Sequence, residues 1–130
     1  MILFVASNPS RLNTDPQVAI IGSKSEKTFN GWVEYLAPDG QYKVVNVSDK
    51  ILAHKETLKK SDYDLFKLAA HVFNPSITKV VALGNTASTA LEKLDVEYFK
   101  IPHPSPLNRF LNNTVQVEAV LEECKKWLDS

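Results

Sequence analysis

The residues best suited to chemistry fall in two short segments. One runs Ile101-Pro-His-Pro-Ser-Pro-Leu-Asn-Arg109, the other Phe4-Val-Ala-Ser-Asn-Pro-Ser-Arg11. The chain has two arginines, Arg11 and Arg109, and five of its seven prolines (Pro9, Pro16, Pro102, Pro104, Pro106) lie near one or the other. Proline fixes φ and removes a backbone donor, so both segments read as stiff loops, where a scaffold can hold polar groups in place. In the later loop, prolines flank His103 and Ser105 and present an imidazole, a hydroxyl and a cation together. A buried neutral imidazole can donate one hydrogen bond to a developing anion, and Ser105 with neighbouring N–H groups could hold a phosphate. In the earlier loop, the Asn8 amide can orient a water but cannot take its proton.

The elements that must position these loops can be read from periodicity. Residues 2–6 form an unbroken apolar run, the mark of a strand buried on both faces. Residues 10–25 read as a long loop. Phe29, Trp32, Val33 and Leu36 recur at helical spacing and predict a helix over 27–37, stopped by Pro38-Asp39-Gly40. A strand is expected at 42–47. A helix is expected at 62–73, with Leu65, Ala69, Val72 and Phe73 inward. A third strand, 78–83, runs into Gly84 and is followed by a helix over 86–94. A short strand at 97–101, the loop from His103 to Asn113 and a last helix at 114–128 complete the chain.

Strand and helix alternate throughout, which predicts one α/β domain over residues 1–130. Its layers would be α/β/α around a four-stranded, mostly parallel sheet. Ligands of such sheets bind beyond the carboxyl ends of the strands. Asn8, Asn46, Gly84 and His103 stand at or just after the ends of the four expected strands, so all four should meet at one sheet edge.

Composition narrows the functional classes. Lys+Arg and Asp+Glu are both 15, so the net charge is zero, which argues against broad electrostatic binding to nucleic acid or anionic membrane. A single cysteine, Cys124, rules out an internal disulfide, a structural zinc site or an all-cysteine iron–sulfur cluster within one chain, and reads as a buried thiol. No apolar run reaches the roughly 20 residues of a membrane helix, and the apolar start lacks a basic leader. The expectation is a cytoplasmic monomer without metal or cofactor.

The two loops together resemble the uracil-DNA glycosylase superfamily. His103-Pro-Ser-Pro-Leu107 is similar to its second catalytic motif. Ser7-Asn8-Pro9-Ser10 is similar to its first, in the asparagine-bearing version of the single-strand-selective monofunctional branch. Val44-Val-Asn46-Val resembles the strand that reads the flipped base. Val81-Ala-Leu-Gly84-Asn-Thr-Ala87 resembles the strand–glycine–helix turn that touches a DNA phosphate. The resemblance implies a uracil-DNA-glycosylase-like fold and base excision from DNA, by hydrolysis of the N-glycosidic bond of uracil or a related damaged base.

It also implies roles for individual residues. His103 would stabilise the departing base anion at O2, and Asn8 would position the attacking water. Ser7, Pro9 and Ser10 would line the base and water site, and Asn46 would pair with O4 and N3 of uracil. Leu107 would wedge into the stack. Ser105, Gly84 and Asn85 would hold DNA phosphates, with Arg11 and Arg109 on the same DNA-facing loops. Phe29 and Trp32, then Tyr35, are the aromatic candidates to stack on the base, although their helical spacing favours core packing. Ser10 stands where that branch carries glycine. This, with the short chain, favours one alternative, a non-catalytic DNA- or base-binding relative. A nucleotide-binding α/β protein is the other, but the chain has no dinucleotide fingerprint or P-loop.

Overall fold

The computed structural model describes residues 1–7, 24–50, 58–104 and 112–130. Four strands, β1 (Ile2–Ala6), β2 (Tyr42–Asn46), β3 (Lys79–Leu83) and β4 (Phe99–Ile101), form one sheet in the order β2-β1-β3-β4. Every pairing is parallel. The inner strands β1 and β3 are buried on both faces, which is why they are apolar without alternation.

The helices are α1 (Lys24–Leu36), α2 (Leu65–Val72), α3 (Asn85–Lys93) and α4 (Thr114–Asp129). Phe29, Trp32, Val33 and Leu36 of α1 pack with Val117, Leu121 and Cys124 of α4 against one sheet face, formed by Phe4, Ala6, Val81, Leu83 and Ile101. Leu68 and Val72 of α2 and Ala87, Ala90 and Leu91 of α3 cover the other, formed by Leu3, Val5, Val45, Val80 and Ala82. The α/β class, the parallel sheet and a pair of helices on each face follow the sequence reading.

The differences have local causes. α1 begins at Lys24, ahead of the first apolar residue of its stripe, and residues 8–23 lie outside the description. A 3-10 turn at Lys60–Asp62 precedes α2, and the Asp64 carboxylate caps α2 by accepting from the Lys67 N–H at 3.0 Å. Starting there, the helix turns Leu68 and Val72 inward. Phe73, expected inside, is instead the C-cap residue and is 62% exposed, because one further step rotates it about 100° from Val72. β4 is shorter than expected and starts at Phe99.

Candidate functional site

The strand order reverses beside β1: the chain passes from β1 outward to β2, then returns to lay β3 on the other side. The carboxyl ends of β1 and β3 therefore flank the switch point, the position at which open α/β sheets bind ligands. Ser7 follows β1 there and Gly84 follows β3. Asn46 ends β2 on one flank, and His103 stands two residues past β4 on the other. Ala6 pairs with Asn46 and Leu83 with Ile101, so these ends share one cross-strand row. Three strand spacings of about 4.8 Å separate the backbones of β2 and β4, about 14 Å in all.

Asn46 is a polar residue on a packed face. It alternates with Val44 and Tyr42, which pack against the α1/α4 cluster. It is 9% exposed, and among the described residues its Oδ1 is the buried side-chain atom without a hydrogen-bond partner. Such an acceptor, left unpaired, costs about 1–3 kcal/mol. The backbone around it is firmly held. Val47 N–H donates to Ala6 O at 2.8 Å, Ser48 N–H to Ser7 O at 3.0 Å, and Asp64 N–H to Val47 O at 2.8 Å. The Ser48 hydroxyl accepts from Lys50 N–H, and the Lys67 ammonium meets both Asp49 carboxylate oxygens at 2.9 Å.

Gly84 caps α3 with φ +87°, a region open to glycine and unfavourable to other residues. Its N–H donates to Ile101 O at 2.9 Å, which ties the β3–α3 turn to the end of β4. A Cβ placed on Gly84 would stand 3.0 Å from His103 Cβ. His103 is half-buried between half-buried Pro102 and fully buried Pro104. Burial pushes its imidazole below the ordinary value of 6.5, which favours the neutral ring at physiological pH. Asn85, the first residue of α3, is exposed.

Phe29 takes no place at this edge. Its ring is 4% exposed and meets Phe4 edge to face at 5.3 Å, so it offers no open face to a base. Trp32 is likewise in the core, and Tyr35 is exposed. Asn8, Pro9, Ser10, Arg11, Ser105, Leu107 and Arg109 lie outside the described residues. Of the expected site, the description thus brings Ser7, Asn46, Gly84, Asn85 and His103 to the carboxyl ends of the strands. The sequence reading passed over Ser48 and Asp64, which fasten the end of β2. Asp64, placed immediately before Leu65 at the start of an apolar-periodic stretch, was a readable cap signal. The contact of Ser48 with the end of β1 had none.

No protein-family model, curated protein or solved structure matches this chain. Among the described residues no group of three or more His, Cys, Asp or Glu could hold a metal ion, and no helix is long and apolar enough to cross a membrane.

Proposed function

We propose that the protein is a monofunctional DNA glycosylase of uracil-DNA-glycosylase-like fold, acting on uracil or a related base flipped out of DNA. The observation that carries this reading is the unpartnered Oδ1 of buried Asn46, at the same sheet edge as a neutral His103. A buried acceptor fits the N3–H of uracil, while the amide N–H₂ of the same side chain fits O4. At the far flank, a neutral imidazole donates to O2, where charge collects as the bond breaks. The C1′–N1 bond breaks and its electron pair leaves with the base. Water, oriented by Asn8, forms the new C1′–O bond, and the proton it releases ends on solvent or on the departing base. The base must first leave the duplex, which costs a few kcal/mol.

The test is alkaline scission of single- and double-stranded oligonucleotides carrying uracil. Base release is expected with the wild-type protein. His103→Ala should slow the single-turnover rate by about 100- to 1000-fold, the effect of removing one preorganised donor to a developing anion. Asn8→Ala should also be impaired. Scission of no pyrimidine lesion would defeat the enzyme reading, and an undiminished His103→Ala rate would defeat the mechanism. Ser10 favours a second reading, a non-catalytic relative that binds DNA or a base. It predicts oligonucleotide affinity without turnover.

A further inference from the structure

We infer that Gly84 is the positioning residue of His103: with no side chain at 84, the His103 backbone packs directly on the β3–α3 turn, and that contact fixes where the imidazole stands. This goes beyond the phosphate contact that the sequence suggests for this glycine. A Cβ on Gly84 would lie 3.0 Å from His103 Cβ, 3.6 Å from its N and 3.7 Å from its Cα. These are the root atoms of the residue, so no rotation of the ring relieves the contact. The backbone cannot easily retreat. Pro102 and Pro104 restrict it on both sides, and Pro104 is fully buried. The turn cannot easily retreat either, because Gly84 N–H is bonded to Ile101 O at 2.9 Å and Gly84 O accepts from Ser88 N–H at 3.2 Å. The φ of +87° aims the missing substituent at His103 and adds strain for any L-residue. A methyl group at 84 therefore requires His103 and the turn to move apart by a few tenths of an ångström, against the proline and hydrogen-bond restraints on both.

Two arms test this, and only the second rests on the glycosylase reading. In the first, NMR of the wild-type protein should show cross-relaxation between the Gly84 α protons and the His103 β protons. Gly84→Ala should shift the His103 imidazole signals and raise their titration midpoint toward the ordinary histidine range. Unmoved signals and midpoint in a folded Gly84→Ala protein would overturn the inference. Should the variant fold poorly, urea midpoints decide. Gly84→Ala should cost less in a His103→Gly background, which lacks the opposing Cβ, than in the wild type. An equal loss in both backgrounds would overturn the inference. In the second arm, Gly84→Ala should lower single-turnover base release at least tenfold while oligonucleotide Kd stays within twofold. Lost affinity with an unchanged rate and unmoved imidazole signals would assign Gly84 to a phosphate instead. If the wild type releases no base, the glycosylase reading fails and the first arm still decides the role of Gly84.

Discussion

Asn46 has the largest conflict with its surroundings of any residue described. Its amide lies in a row with Ala6 and Ile101 on a face otherwise packed with apolar side chains, and its Oδ1 has no partner there. A side chain selected only for folding would be apolar at this position. Asn46→Leu keeps the branching and volume while deleting the orphan acceptor, so it should raise stability by about 1–2 kcal/mol. Urea unfolding checks this, and a lower midpoint would show that the carbonyl is satisfied in solution. On the proposed glycosylase function, the same variant should also lose uracil release. The sequence marked Asn46 as a strand-end residue. It could not reveal the missing partner, because partnership depends on which atoms β1, α1 and the following turn bring near.

At the scale of elements, two caps govern the supports of the site. Asp64 accepts from Lys67 N–H at the start of α2, and its own N–H holds Val47 O, one residue past Asn46. Asn113 accepts from Gln116 N–H at 3.1 Å at the start of α4. Asp64→Ala and Asn113→Ala should each cost about 1 kcal/mol, read as urea midpoints. The two sites begin helices on opposite sheet faces, so the double variant should show nearly the sum. A clear departure from additivity would mean that the two helices communicate through the sheet. Four strands and four helices were legible because their apolar residues keep strict spacing over several turns or along buried runs. The facing of Phe73 was not, since it depends on where Asp64 starts the helix. The approach of Gly84 to His103 was not, because nineteen residues separate them and only the closed sheet brings them together.

For the whole molecule, pH is the informative variable. Burial lowers the His103 imidazole, and burial followed by Lys43 and Lys67 lowers that of His71. Each folded value lies below the ordinary 6.5, so between the two values the unfolded chain binds more protons. The stability these rings contribute is complete above 6.5 and is lost as pH falls through their folded values. Urea midpoints should therefore drop as pH falls below 6.5, and the His71→Gln, His103→Gln double variant should flatten that slope. An unchanged slope would place the responsible groups among the carboxylates. Net charge, at 15 basic against 15 acidic residues, supplies no general electrostatic attraction to a polyanion such as DNA.

The strand order has a further consequence, for the history of the chain rather than its resting state. β1 is synthesised before both of its partners but is an inner strand, paired from Ile2 to Tyr42 on one side and to Lys79 on the other. At about 5–20 residues per second, the edge of Ile-Leu-Phe-Val-Ala that meets β3 stays bare for roughly 4–15 s before β3 exists to cover it. The strand that leads into the first of the two loops thus spends that interval with an unpaired edge open to association.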